Sequence, residues 1–356
     1  MFLILACGSN GNFQLGNGSD EDLNYLQNVH FVDDVTIHGK PMKIAGGGNH
    51  TLILFEDGQV YSAGSNEYGQ LGIDPVISKS SPRFAPILGK WKDVACGWEF
   101  LVLLDTEGIA WSCGLGTKGE LGIGDGIRQA NKPTKVSIPD GLTFEIVRCG
   151  VFLTIARTLN GQLYGWGVCR KGQLGIQPKL SNGKPRASIW SPEKLETPLD
   201  YVTRFEMGRE CTYIEGKDNL VYQLGTEITK VEMSPQIQHV DQIETMWSSI
   251  HFRSSNTIVS QGNNSHGQLL NDTPEDPLVC MATGSEHGLV LTQLNKVYAW
   301  GWGEHGNCGR HENNNDDDSD NQDPVTYSKL NLIYDDIHKV IAIGGGCATS
   351  WVVIEK

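Results

Sequence analysis

The chain has few basic residues and lacks any long apolar run. Its 356 residues include 28 Lys+Arg against 42 Asp+Glu, and the net charge is −14. A protein that binds a phosphate backbone needs a basic surface, so this balance argues against nucleic acid as a direct ligand. No stretch of about 18 apolar residues is present, and we therefore expect no helix across a membrane. The apolar start at 1–7 has no basic residue and is followed by Gly8-Ser9-Asn10, so we expect no signal peptide.

Motifs typical of enzymes and metal sites are also missing. The sequence contains no G-x-S-x-G elbow, no Walker loop and no H-E-x-x-H motif. Its nine cysteines include no C-x-x-C pair, and most stand in apolar segments such as Val94-Ala95-Cys96. We expect reduced, mostly buried thiols in a protein of the cytoplasm and nucleus. We expect no catalytic centre, no cofactor and no bound metal.

Glycine, in contrast, is abundant. The 43 glycines make up about 12% of the chain, against an average near 7%. They separate short apolar segments and follow no collagen-like period, which is typical of a turn-rich β protein. Hydrophobic residues account for 39% of the sequence, enough for a sizeable core.

Two short motifs recur along the chain, and the interval between them is constant. The first ends in a glycine after a short apolar segment, as in Val94-Ala95-Cys96-Gly97. The second is G-x4-G-Q-L-G, as in the segment 64–72. In five copies the two motifs are 17 residues apart: Gly47 and Gly64, Gly97 and Gly114, Gly150 and Gly167, Gly208 and Gly225, Gly284 and Gly301. A sixth copy, at 247–269, has a shorter interval.

Each interval holds two short strands and a turn. Asp57-Gly58 and Asn160-Gly161 are hairpin signals, because glycine tolerates a positive φ. With one strand before and one after the interval, the repeating unit has four antiparallel strands and is a propeller blade. Six units lie between 41 and 310, and the segments 2–16 and 340–351 supply the two halves of a seventh. We predict an all-β fold: one domain over 1–356, a seven-bladed β-propeller whose ring is closed by strands from both termini, which leaves no free sheet edge.

An acidic insertion interrupts the last repeat. The segment 312–323 holds six carboxylates but lacks the glycine and the closing glutamate of an EF-hand loop. We therefore expect a solvated, disordered insertion at about 311–325 rather than a calcium site.

The repeats resemble those of the regulator of chromosome condensation family, the seven-bladed propellers with G-x4-G-Q-L-G motifs. The resemblance covers nearly the whole chain and is weakest in the fifth and sixth blades. The founding member of that family is a nucleotide exchange factor for the GTPase Ran and docks on chromatin. Guanine nucleotide exchange on a Ran-like GTPase is therefore one function that the resemblance implies. This chain lacks the basic tail that suits a chromatin role, and a shared fold alone does not transfer an activity.

A second set of motifs resembles a non-catalytic branch of the same family. That resemblance implies an adaptor that forms a heterodimer with the small zinc-ribbon, CSL-type diphthamide biosynthesis protein, an electron carrier. The pair would support diphthamide synthesis on elongation factor two and Elongator-dependent modification of the tRNA wobble uridine, without direct contact to nucleic acid or membrane. The motifs are Cys96-Gly97-Trp98-Glu99, the segment 246–251, the segment 282–288, the segment 300–309 and the segment 345–351.

Candidate partner-binding residues follow from the blade geometry. In an antiparallel blade, the loops after the first and third strands lie at the same end, and the unusual residues concentrate there. Tryptophan is enriched in binding hot spots. We predict a partner-binding surface that comprises Trp98, Glu99, Trp247, His251, Glu286, His287, Trp302, Glu304 and His305.

Two alternatives stay open for these residues. His287 shares a repeat position with His50, which suggests a structural role inside the blade, and the same reasoning applies to His251. A metal site is the other alternative, since histidine, carboxylate and thiol ligands suit zinc or iron. Its ligands would come from Glu286, His287, Glu304, His305, Cys308 and Cys347.

Overall fold

The structure, a computed structural model, describes residues 1–34, 39–177, 180–237, 239–270, 274–310 and 325–356. The contacts divide the chain into two compact units, one formed by 1–40 with 233–356 and the other by 41–232. The predicted insertion at 311–325 lies outside the described residues, except for Val325. That the chain is one domain stays a prediction. Within the described ranges, no helix is long and apolar enough to cross a membrane.

The strands form seven antiparallel sheets. A single 3₁₀ turn is described, at Val32–Asp34. In chain order the strands are β1 Phe2–Gly8, β2 Leu23–Asn28, β3 Pro41–Gly46, β4 His50–Phe55, β5 Val60–Ser65, β6 Ser80–Ile87, β7 Trp91–Cys96, β8 Phe100–Asp105, β9 Ala110–Leu115, β10 Gln129–Lys135, β11 Ile146–Cys149, β12 Leu153–Arg157, β13 Leu163–Val168, β14 Ser188–Lys194, β15 Val202–Met207, β16 Thr212–Gly216, β17 Val221–Leu224, β18 Ile228–Lys230, β19 Gln242–Thr245, β20 Ser249–Ser254, β21 Thr257–Gly262, β22 Leu278–Thr283, β23 His287–Thr292, β24 Val297–Trp302, β25 Thr326–Tyr334, β26 Lys339–Gly345 and β27 Thr349–Glu355.

The unit 41–232 contains four sheets of four strands each, β3–β6, β7–β10, β11–β14 and β15–β18. Neighbours in the chain pair with each other, as the repeat predicts. The hairpin signal at Asp57-Gly58 joins β4 to β5, and Gly58 has a φ of 78°. The largest buried side chains of this unit include Trp166, Phe100 and Phe144.

The second unit joins the two termini in one sheet, with strand order β2-β1-β27-β26. The pairing of β1 with β27 runs from Phe2 opposite Glu355 to Gly8 opposite Thr349. The prediction that both termini build one blade is confirmed.

The sheet β19–β21 departs from the predicted four strands, since it has three in the described residues. The chain after Leu270 is polar and contains Pro274 and Pro277. Proline cannot donate a hydrogen bond to a neighbouring strand, so this segment is a poor fourth strand. The remaining sheet of the unit, β22–β25, is complete.

The first glycine of G-x4-G-Q-L-G has a structural reason. Gly301 ends β24 with a φ of 101°, and a Cβ there would lie 2.6 Å from the carbonyl oxygen of Glu286. A side chain at this position would therefore be strained twice, by its backbone conformation and by the contact. Gly64 and Gly114 have the same φ range and the same close loop. The repeat glycine lets the loop after the first strand lie against the end of the third.

Candidate functional site

In the sheet β22–β25, the loops after the first and third strands meet at one end. The backbone N–H of Trp302 donates to the carbonyl oxygen of Glu286 at 2.9 Å. Glu304 follows in the same loop and is exposed. The structure thus brings Glu286, Trp302 and Glu304 together, as predicted for the loops of this blade.

The Glu286 carboxylate links this sheet to its neighbour β19–β21. Its Oε2 accepts hydrogen bonds from the Ser248 hydroxyl at 2.7 Å and from the Gln268 side-chain amide at 3.1 Å. The backbone N–H of Trp247 donates to the carbonyl oxygen of Ser285 at 2.7 Å. These bonds hold Trp247 and Glu286 in one network before any partner is bound.

Trp302 stacks on a side chain of the neighbouring sheet. Its ring lies 4.2 Å from the His266 ring, centroid to centroid, with 13° between the planes. Both side chains are half-buried. Among the residues that the structure describes, none accepts a hydrogen bond from the buried indole Nε1 of Trp302. An unsatisfied buried donor is unusual in a folded protein.

His305 connects the site to the sheet that contains the termini. Its Nδ1 lies 2.7 Å from Oδ2 of Asp22, whose Oδ1 accepts the backbone N–H of Asn10 at 2.6 Å. Three sheets of one unit therefore contribute to a connected surface. We call it the Trp302 surface and define it by Asp22, Trp247, His266, Glu286, Trp302, Glu304 and His305.

Two predicted partner-binding residues, His251 and His287, lie in the core instead, each with 0% exposure. The ring nitrogens of His251 bond the hydroxyls of Ser249 at 2.9 Å and Ser260 at 2.8 Å. Nε2 of His287 bonds the hydroxyl of Ser350 at 3.0 Å. Burial lowers the pKa of His251 to about 3 and that of His287 to about 4. Their inclusion in the partner surface is corrected: His251 is a neutral side chain that joins two strands of one sheet, and His287 is a neutral side chain that joins two sheets.

Trp98 and Glu99 belong to the other unit, and both are half-buried. The backbone N–H of Trp98 donates to Val151 at 3.0 Å, and the indole lies against Gly48, where a Cβ would come within 2.8 Å of the ring. Much of Trp98 therefore packs between sheets. Burial raises the pKa of the Glu99 carboxyl. That these two residues share a surface with Trp302 stays a prediction.

The structure gives the proposed metal ligands other contacts. Glu286 bonds Ser248 and Gln268, and His305 bonds Asp22. Cys308 is 0% exposed, and burial raises the pKa of its thiol. In the part of the chain that is described, no three His, Cys, Asp or Glu side chains are placed to hold a metal ion. All nine cysteines are unpaired.

Sequence reasoning left His266, Asp22 and Gln268 out of the predicted site. A signal for His266 was available, because it occupies the repeat position of His305, directly before the second glycine of the motif. Asp22 and Gln268 carry no such signal, since their role depends on contacts between sheets.

Comparison with known proteins identifies the family. The sequence profile described as RCC1-like domain matches residues 3–352. The chain belongs to the RCC1-like domain family. An RCC1 repeat-containing protein of Schizosaccharomyces pombe is 31% identical over 378 residues and covers 99% of both chains. The secretion-regulating guanine nucleotide exchange factor of Bos taurus is 25% identical, over 86% of this chain and 75% of that protein.

The RCC1-like fold is also that of a solved structure. The crystal structure of Prp20p from Saccharomyces cerevisiae matches with a TM-score of 0.82 at 18% identity, over 100% of this chain and 92% of that one. At this identity the match shows the fold alone. The predicted all-β, seven-bladed propeller of RCC1 type is confirmed.

Proposed function

We propose that this RCC1-like propeller is a non-catalytic adaptor that forms a heterodimer with the small zinc-ribbon diphthamide biosynthesis protein. In that role it would support diphthamide synthesis on elongation factor two and Elongator-dependent modification of the tRNA wobble uridine, in the cytoplasm and nucleus. The partner's identity rests on the motifs quoted above, which resemble those of the yeast alpha-tubulin suppressor protein, also called killer toxin insensitivity protein thirteen. The binding role rests on the Trp302 surface.

The observation that supports binding is the state of Trp302 in the isolated chain. Its ring is stacked on the His266 ring, and the side chain is only half-buried, so a partner can cover the rest of it. A rigid aromatic side chain loses little conformational entropy when it is buried by a partner. Because the surrounding loops are already hydrogen-bonded, binding needs no large rearrangement.

The charge of the surface restricts the contacts that a partner can make. Glu304 is exposed, and Asp22 is exposed beside it through His305. An acidic partner would be repelled at long range, so apolar contacts and hydrogen bonds must dominate the complex. Trp302 would supply the main apolar contact.

The alternative is guanine nucleotide exchange on a Ran-like GTPase. It is supported by the name of the Bos taurus relative, a guanine nucleotide exchange factor at 25% identity. Two assays on the purified chain, complex formation and nucleotide release, distinguish the two functions. The adaptor proposal predicts a one-to-one complex with recombinant zinc-ribbon protein and no acceleration of nucleotide release from a Ran-like GTPase.

A double substitution tests the surface. We expect Trp302→Ala with Glu304→Ala to weaken the complex at least about tenfold, since an anchoring tryptophan is worth about 2 kcal/mol or more. The matched control is Leu294→Ala, which removes a 64% exposed apolar side chain from the hairpin at the opposite end of the same sheet. Calorimetric titration should show wild-type affinity for the control. A complex that tolerates the double substitution contradicts the assignment of this surface, and nucleotide release accelerated by orders of magnitude contradicts the adaptor function.

A further inference from the structure

The loop between β13 and β14 is basic, whereas the chain as a whole is acidic. The segment 169–187 contains five basic residues and no acidic residue, in a chain whose net charge is −14. Its described basic residues are Arg170, Lys171, Lys184 and Arg186. The loop follows the third strand of its sheet, so it emerges at the end where the blade geometry places binding loops.

Among the described residues, two of these cations have no ionic partner. Arg170 and Lys184 are exposed, and no carboxylate among the described residues pairs with them. Lys171 lies 3.6 Å from Glu210, but both side chains are more than half exposed, and such a pair contributes little. Arg186 differs, because Glu193 accepts two hydrogen bonds from its guanidinium at 2.7 Å each. That pair fixes the base of the loop, while Arg170 and Lys184 remain unpaired among the described residues.

A neighbouring loop extends the basic surface. Lys118 occupies the same repeat position as Lys171, and its Nζ lies 3.9 Å from the centre of the Phe152 ring. Phe152 adjoins the start of the basic loop, since its carbonyl oxygen accepts the backbone N–H of Val168 at 2.9 Å. Lys118, from a neighbouring sheet of the unit 41–232, therefore lies beside the basic loop.

Exposed aliphatic side chains lie in the same loop. Ile176 is 62% exposed and Leu180 is 48% exposed. Single-stranded nucleic acid is bound by aromatic side chains that stack on bases, and these residues are aliphatic. Unpaired cations beside exposed aliphatic groups complement a protein segment that alternates carboxylates with leucine-like residues.

We propose that a basic loop surface, defined by Lys118, Arg170, Lys171, Ile176, Leu180 and Lys184, binds an acidic, leucine-bearing segment of a partner protein. This surface is separate in the chain from the Trp302 surface, and the proposal does not depend on the zinc-ribbon partner. The free cations would attract the segment at long range, and the aliphatic pair would fix its register.

The probe is a fluorescein-labelled peptide of Glu-Glu-Leu triplets, titrated with the full chain at low salt. We expect binding that weakens as salt rises. The variant Arg170→Glu, Lys171→Glu, Lys184→Glu should lose at least about tenfold in affinity, since it replaces attraction by repulsion. The matched control reverses three exposed lysines at the opposite ends of the outer strands, Lys135→Glu, Lys194→Glu and Lys230→Glu, with the same change in net charge.

When the variants are compared at about 0.15 M salt, where the Debye length is about 8 Å, the control should stay within about twofold of wild type, because more distant exposed charges are screened. A peptide with serine in place of leucine should bind at least about threefold more weakly, since the loss of an apolar contact reduces affinity.

The proposal is overturned if the control loses as much affinity as the loop variant, if the serine peptide binds equally well, or if the leucine peptide does not bind at all. Tighter binding of a single-stranded RNA of equal charge, lost in the same loop variant, would assign the surface to nucleic acid instead. Urea unfolding of each variant checks that the fold is intact. Loss of the zinc-ribbon complex in the Trp302 variant, with peptide binding unchanged, distinguishes the two proposals.

Discussion

Buried neutral histidines make the stability of this propeller depend on pH. Burial lowers the pKa of His251 to about 3, and the pKa values of His50 and His287 fall to about 4 for the same reason. The ordinary histidine pKa is about 6.5. Between these values the unfolded chain binds protons that the folded chain does not, so the free energy of unfolding decreases as the pH falls below about 6.5.

The magnitude follows from this linkage. Between pH 7 and pH 5, a histidine that is neutral in the fold and has an ordinary pKa when unfolded loses about 2 kcal/mol of stabilisation. Three such residues together lose about 6 kcal/mol, a large part of the 5–15 kcal/mol that stabilises a typical domain. The raised pKa values of Glu120 and Glu206 oppose this trend, because those carboxyls favour the fold as they become protonated.

A single substitution isolates the contribution of one histidine. His251→Gln keeps a donor and an acceptor between the hydroxyls of Ser249 and Ser260 but does not titrate. Urea unfolding at pH 7 and pH 5 should show that the variant loses about 2 kcal/mol less than the wild type between the two conditions. The control His239→Gln, at an exposed position, should keep the wild-type loss. If the His251 variant and the wild type lose the same amount, His251 is not the titrating group and the reasoning fails.

Three further outcomes are expected. Trp300→Ala should lower the free energy of unfolding by about 3–5 kcal/mol, because Trp300 is 0% exposed and its Nε1 donates to the carbonyl oxygen of Gln268 at 2.9 Å. Trp302→Ala should lower it by no more than about 1.5 kcal/mol. Equal losses in chemical denaturation would contradict the assignment of Trp300 to the core and Trp302 to the surface. Gly301→Ala should cost at least about 2 kcal/mol, whereas Gly18→Ala, with a φ of 87° but no atom within 4 Å of the added Cβ, should cost about 1 kcal/mol. Deletion of 340–356 removes β26 and β27 and should give an insoluble or partly molten chain, and a soluble truncation that unfolds cooperatively by circular dichroism would refute closure by both termini.

The repeat made the fold predictable because its spacing is set by hairpin geometry. The 17-residue interval fixes two strands and a turn, and the repeat glycine fixes where the next loop lies, as Gly301 shows. The joining of β1 to β27 followed from two half-repeats at the termini. In the described residues the sheet β19–β21 has three strands, which the repeat did not predict, because the short polar segment that follows it lies outside the regular motif.

The site was predictable only in part, since contacts between sheets have no sequence period. Glu286, Trp302 and Glu304 belong to loops of one sheet, and their proximity was predicted. The stacking of Trp302 on His266 and the bond from His305 to Asp22 join different sheets, so nothing in the repeat indicates them. His287 was misplaced because a histidine beside a loop motif looks accessible, while its side chain in fact points to Ser350 in the core.

The two proposed surfaces use the same repeat position with opposite chemistry. The four residues between the motif glycines are Trp-Gly-Glu-His at 302–305 and Val-Cys-Arg-Lys at 168–171. The glycines on either side have positive φ in both copies, so the backbone of the loop is conserved between blades while its side chains are free to differ. A propeller can therefore acquire an acidic aromatic surface in one unit and a basic aliphatic surface in the other without altering a strand. Both proposals place binding at residues that depart from the repeat, and residues that follow it, such as Gly301, set the backbone on which those side chains stand.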